Sequence, residues 1–139
     1  MKYFLDTNVF REVGKQRPHM NVRAWLNTVD DADLAISALT VREVTKGMIK
    51  LRTSKPEMAM AIEARVAIIF AAFNERILPV NRAVAAVWGE MLAQHESHSD
   101  DTALAATARI HDLILVTRNV RHVAGRGVPL LDPYKRLPG

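Results

Sequence analysis

Three apolar, β-prone residues, Tyr3-Phe4-Leu5, run straight into a lone carboxylate, Asp6, and the polar pair Thr7-Asn8. An unbroken apolar run has no solvent face to offer, so it suits a strand covered on both sides, as the central strands of parallel sheets are. Asp6 then stands at the carboxyl end of that strand. In open parallel sheets ligands bind outside that edge, where the strand order reverses. A plainer reading makes Asp6 or Thr7 the cap of the next helix. Partners for Asp6 elsewhere in the chain decide between the two.

Short β-prone runs continue to alternate with helical stretches, the pattern of an α/β domain. Strands are expected at Leu34-Ala35-Ile36, at Ile77-Leu78-Pro79-Val80, over Leu113 to Val116 and at Val128-Pro129-Leu130-Leu131. Pro79 cannot donate to a ladder and places the third strand at an edge. Helices are expected over Phe10 to Gln16, from Pro18 with Val22, Trp25 and Leu26 on one face, and over Leu39 to Leu51. After the break at Thr53-Ser54-Lys55-Pro56, a long helix runs to Phe73 with Met58, Ile62, Val66, Ile69 and Phe73 as its buried stripe. Arg82 to His95 and Asp101 to His111 complete the set. Trp88 belongs to the core, and Gly89 permits a close helix contact. Gly125-Arg126-Gly127 marks a turn.

With 139 residues, 49% hydrophobic and 24% charged, the chain fits one domain over 1–139 with a full core. It contains no Cys, which excludes disulfides and thiolate zinc sites and is compatible with a reducing cytoplasm. No signal peptide is visible, and the longest nearly apolar stretch, Val66 to Phe73, is far too short to span a bilayer, so no membrane role is expected. A net charge of +4 and a pI near 9.8 lean towards a polyanionic partner.

Three acids fall at equivalent places: Asp6 after the first strand, Glu43 in the helix after the second, and Asp101 at the start of the helix before the fourth. If they converge, their mutual repulsion calls for a cation. A hard divalent ion such as Mg²⁺ or Mn²⁺ prefers carboxylate and water oxygens, so it is the natural occupant. Arg42, Lys46, Arg118 and Arg121 lie near these acids in sequence and are candidates for phosphate contacts.

The stretches Leu5-Asp6-Thr7-Asn8-Val9, Ile36 to Glu43 with Gly47, Asp101-Thr102-Ala103-Leu104-Ala105-Ala106-Thr107-Ala108, Leu115 to Val120, and Gly127 to Tyr134 occur in an order and spacing that carry a family likeness. The chain resembles the PIN-domain ribonucleases, most closely the VapC-type toxins of bacterial toxin-antitoxin pairs. The resemblance implies a three-layer α/β/α sandwich around a parallel sheet. It also implies an Mg²⁺- or Mn²⁺-dependent endoribonuclease acting in the cytoplasm as a homodimer. A cognate small antitoxin would inhibit it, with operator DNA reached through the antitoxin. Carried over by residue, Asp6, Glu43 and Asp101 match the catalytic metal ligands, and Asn119 matches a fourth catalytic position. One departure stands out. Relatives often have Asp-Phe after the Thr-Arg-Asn turn, whereas this chain has His122-Val123, which bears on a second metal position or on the preferred ion.

Each acid also has an ordinary reading. Thr40 and Glu43 have capping-box spacing, Asp101 suits a helix amino terminus, and Thr117 and Asn119 are common turn residues. The ordered set argues for chemistry where no single acid does. Asp100 and Asp101 are separated by facing: Asp101 shares a helical face with Leu104, Ala105 and Ala108, while Asp100 aligns with Thr107 and His111 and points to solvent. His95-Glu96-Ser97-His98 is one residue short of the zinc-protease spacing, and no Gly-x-Ser-x-Gly elbow or dinucleotide loop is present. A receiver domain would carry an acidic pair after the first strand, which Leu5-Asp6 is not. The alternative function is a catalytically weakened PIN-like nucleic-acid-binding or regulatory module.

Overall fold

Five parallel strands, β1 (Tyr3–Leu5), β2 (Leu34–Ser37), β3 (Ile77–Leu78), β4 (Ile114–Val116) and β5 (Leu130–Leu131), form the sheet. Their spatial order is β3-β2-β1-β4-β5. This computed structural model describes residues 1–135, so the last four residues of the domain expected over 1–139 lie outside the described residues. β1 is central, with Tyr3 level with Leu34 on one side and Ile114 on the other, and Leu5 level with Val116. The chain leaves β1 towards β2 and returns much later on its opposite side as β4. The strand order therefore reverses at β1, and the crevice opens beyond its carboxyl end.

Among the described residues seven α-helices cover the sheet: α1 (Thr7–Val13), α2 (Met20–Leu26), α3 (Ala38–Ser54), α4 (Pro56–Phe73), α5 (Arg82–Gln94), α6 (Ser99–Ile110) and α7 (Val120–Val123). Alternation along the strands divides the core in two. Phe4, Ala35 and Leu115 point to one face, where they join Val84, Met91, Leu104, Ala105 and Val123 of α5, α6 and α7. Leu5, Ile36 and Val116 point to the other, against Val9, Phe10, Val22, Trp25, Val44 and Phe73 of α1 to α4. The result is the expected three-layer α/β/α sandwich. Leu5 is fully buried, so Leu5→Ala would cost about 2–5 kcal/mol.

Several local expectations are corrected. α1 begins at Thr7 rather than Phe10 because the Asp6 carboxylate accepts the Val9 N–H at 2.9 Å and nucleates the first turn directly after the strand. The buried stripe of α4 runs through Ala59, Ile62, Val66, Ile69 and Phe73, while Met58 is half exposed. A Cβ on Gly89 would meet nothing, so no close contact requires that glycine, whereas one on Gly14 would stand 2.9 Å from Ile69 Cδ1, where α1 crosses α4. α7, a single turn, was not anticipated. β3 lies at the sheet edge as expected, although it ends at Leu78 and leaves Pro79 outside it, and Gly125 and Gly127 take φ of 79° and 77° in the expected turn. Between them Arg126 is buried, its guanidinium donating to the Met91 and His95 carbonyls at the end of α5. No described helix is long and apolar enough to cross a membrane.

Candidate active site at the carboxyl edge of the sheet

Asp6 leaves β1 with its backbone N–H still paired to the Val116 carbonyl at 3.0 Å, which fixes it beside the end of β4. Its side chain is almost wholly buried. Oδ1 accepts the Val9 N–H, and Oδ2 accepts the Thr117 hydroxyl at 2.5 Å. Thus Asp6 is the helix cap of the plainer reading and a buried carboxylate at the switch point as well. Burial pushes its pKa up, against the lowering effect of the Thr117 and Val9 hydrogen bonds, and the charge of Asp101 pushes it up further. The Thr117 hydroxyl also accepts the Asn119 N–H at 2.9 Å, so one side chain orients both Asp6 and the turn that carries Asn119.

Glu43 stands in the second turn of α3. Ser37 caps that helix by accepting the Leu39 N–H at 3.0 Å, so the capping-box reading of Thr40 and Glu43 is not realised. Instead the Thr40 and Thr7 hydroxyls meet at 3.1 Å and tie α3 to α1. Glu43 is left to face Arg42, whose guanidinium donates to it at 2.8 Å and to Asp100 at 2.6 Å. Those two carboxylates, Asp100 first, raise the pKa of Arg42.

Asp101 lies in the first turn of α6, which begins at Ser99, two residues before the expected start. Its Oδ2 stands 2.7 Å from His122 Nδ1, the first residue of the departure seen in the sequence. The side chain of Asp101 is 26% exposed and that of Asp100 60%, so the two acids separate as expected. The polarity argument behind that expectation needs correction: Thr107, assigned to the outer face, is fully buried, because α6 is enclosed on all sides from Thr102 to Ala108.

Asp6, Glu43, Asp101 and Asn119 line one open pocket of about 220 Å³, together with Asp100, Arg11 and Arg42. The donor chemistry fits a hard divalent cation: besides Asp100, the three carboxylates of Asp6, Glu43 and Asp101 come from separate segments to face one space, and burial of Asp6 disfavours its charged form, which a cation would favour. The three carboxylates are each engaged by a neighbour, Thr117, Arg42 or His122. Of the four basic candidates, Arg42 lines this pocket. Arg118 sits over the Tyr134 ring at 4.3 Å and faces an adjoining cleft with Lys15 and His19. Arg121 faces a different cleft, beside His122, and Lys46 lines none of the three. Burial and the charges of Glu12 and Asp6 push the Tyr134 phenol up to about 12. Arg11 was missed in the sequence; one helical turn after Asn8 in α1, it follows from the correct helix start.

A sequence model of the PIN domain matches residues 3–125. The chain belongs to the PIN-domain family. Toxin FitB of Neisseria gonorrhoeae is 31% identical over 137 residues, covering 94% of this chain and 96% of that protein. VapC ribonuclease Y4jK of Sinorhizobium fredii is 27% identical, again over 94% and 96%. Among solved structures, that of FitAB bound to an IR36 DNA fragment superposes with a TM-score of 0.84 at 29% identity, covering 98% of each chain. The site described above lies within the matched span, and His122 falls inside it too.

Proposed function

We propose that this PIN domain, taken as a single unit over 1–139, is an Mg²⁺- or Mn²⁺-dependent endoribonuclease and the toxin of a toxin-antitoxin pair. The observation that carries the reading is the gathering of Asp6, Glu43 and Asp101, from three separate segments, around one pocket at the switch point of the sheet. These three residues would hold the ion. When bound, it supplies Lewis acidity and charge neutralisation for hydrolysis of a phosphodiester bond. Thr117 fixes one oxygen of the Asp6 carboxylate, and the Val9 N–H fixes the other. Asn119, held by the same hydroxyl, offers an amide to the scissile phosphate. Arg42 and Arg11 form the cationic rim on which RNA phosphates dock, and the cleft of Lys15, His19 and Arg118 continues that track. The family relative named a ribonuclease supports RNA as the substrate.

The partner assignments belong to the same reading. An apolar groove of about 240 Å³ between α1, α3 and α4, lined by Phe10, Val44, Leu51, Val66 and Ile69, is the seat we assign to a small cognate antitoxin. Arg11 lines both this groove and the carboxylate pocket, so an occupant of the groove reaches the site. The relative solved with a DNA fragment supports operator DNA as a further partner, through the antitoxin. Met60, Ala64, Ala67, Ile68 and Ala71 are all exposed and share one face of α4, an apolar surface suited to a homodimer. The reaction is placed in the cytoplasm with its RNA. The test is cleavage of RNA by protein freed of antitoxin. Cleavage with Mg²⁺ or Mn²⁺ that chelation silences is expected, and full activity in excess chelator overturns the reading.

A further inference from the structure

His98 lies outside the carboxylate pocket and His122 meets it only through Asp101, yet they are the most unusual side chains near it. His98 precedes α6 and takes a left-handed backbone, φ 47° and ψ 58°. A residue with a Cβ enters that region at a cost and needs something to hold it there. The conformation lays its imidazole flat on that of His122, with centroids 3.7 Å apart and planes within 3° of parallel. His122 is brought in by the single turn α7, and its Nδ1 meets Asp101 Oδ2. His98 and Asp101, three residues apart, share the face of the first turn of α6. One nitrogen from each ring and one carboxylate oxygen all lie within 4.8 Å of one another, the sole such group of three among the described residues.

We infer that His98, Asp101 and His122 form a binding site for a divalent transition-metal ion of the Zn²⁺ class, beside the carboxylate pocket and distinct from it in ligand chemistry. Two imidazoles and one carboxylate are a borderline donor set that favours Zn²⁺, Co²⁺ or Ni²⁺ over Mg²⁺, which seeks oxygen alone. Metal–nitrogen bonds of about 2.0–2.1 Å at a tetrahedral angle put two ring nitrogens about 3.4 Å apart, so closing the group from within 4.8 Å takes only a swing of side chains. His98 is exposed and has the freedom to make it. The cleft alongside, lined by His95, His98, Arg121, His122 and Arg126, gives the ion a path and room for a water ligand. Two guanidiniums face that cleft. Arg126 is spent on the Met91 and His95 carbonyls, and Arg121 is exposed, where solvent screens it. Asp101 is the shared wall: it lines the carboxylate pocket while its Oδ2 is held from the cleft side by His122.

The inference does not rest on the nuclease reading, and its test uses no RNA. Untagged, full-length protein stripped with chelator and returned to excess Mg²⁺ is titrated with Zn²⁺ by calorimetry and with Co²⁺ by visible absorption. One Zn²⁺ per chain that Mg²⁺ does not displace is expected, with a Co²⁺ spectrum showing nitrogen ligation. His98→Ala and His122→Asn should each weaken Zn²⁺ by more than about a hundredfold, beyond what loss of an outer-shell group costs. His98 is exposed, so its variant should keep the native circular dichroism even if that of His122 does not. His95→Ala, in the same cleft but outside the group, should bind as the parent does. Absence of Zn²⁺ binding in Mg²⁺, or affinity unchanged in a folded His98→Ala variant, overturns the site.

Discussion

Replacing Thr117 by Val keeps the shape of the side chain and deletes the hydroxyl that holds Asp6. Two hydrogen bonds go: the 2.5 Å bond donated to a buried carboxylate and the 2.9 Å bond accepted from the Asn119 N–H. A bond to a charged group is worth about 1.5–3 kcal/mol and an ordinary one about 0.5–1.5 kcal/mol, so the expected loss is about 2–4 kcal/mol. For a chain of this size that lowers Tm by about 8–16 °C. The loss should depend on pH. Because the folded-state pKa of Asp6 lies above its unfolded value, folding binds a proton in the window between them. The stability this group contributes is full below the unfolded pKa and is lost as pH rises through the folded pKa. The Thr117 bond opposes that loss by favouring the charged form, so the variant suffers most at neutral pH and least in acid, where Asp6 is already protonated. Urea unfolding in chelator across this range reads both effects, with Thr117→Ser as the variant that restores the hydroxyl. A loss under about 0.5 kcal/mol at neutral pH, or one that does not vary with pH, would refute the coupling of Thr117 to Asp6.

Other expectations follow from neighbouring geometry. Asp101→Asn should abolish metal-dependent cleavage, whereas Asp100→Asn, which loses only an exposed partner of Arg42, should retain most of it; the reverse pattern, with both folded, would exchange the two residues in the site. Ile68→Glu, at a position 72% exposed on the apolar face of α4, should shift the protein to monomer in analytical ultracentrifugation without lowering Tm by more than about 1 °C; an unchanged dimer would move the interface elsewhere. In a spectrophotometric titration one of the two tyrosines should ionise near pH 12 and disappear in Tyr134→Phe; a late transition that survives the substitution would contradict the burial of that phenol.

Much of this was legible in the sequence because the informative residues act locally. An apolar run without a polar face can only be an interior strand, and Asp6 at its end follows from chain direction alone. Glu43 and Asp101 were placed by their distance from other strands. What was not legible depends on tertiary contact. Whether Asp6 or a later residue starts α1 turns on one hydrogen bond to Val9, and the three-residue error hid Arg11. Met58 and Ala59 are equally compatible with a helical stripe until α4 is seated against α1 and α3. The capping-box spacing of Thr40 and Glu43 was met in sequence yet overridden, since α3 already begins at Ala38 with Ser37 as its cap, three residues before Thr40. His122 read as a lost carboxylate; only the meeting of α6 and α7 shows that its ring is a partner of Asp101.

The central claim is that three distant carboxylates act as one unit on RNA, and cleavage rates of Asp6→Asn, Glu43→Gln, Asp101→Asn and their pairwise combinations test it most directly. Residues that jointly hold one ion are not additive, because losing any of them disables the same step. With Mg²⁺ or Mn²⁺ present and folding checked by circular dichroism, each single variant should lose about a thousandfold in rate, about 4 kcal/mol, and each double no more than that. Effects that multiply from single to double variants, or a Glu43→Gln protein as active as the parent, would contradict a shared site.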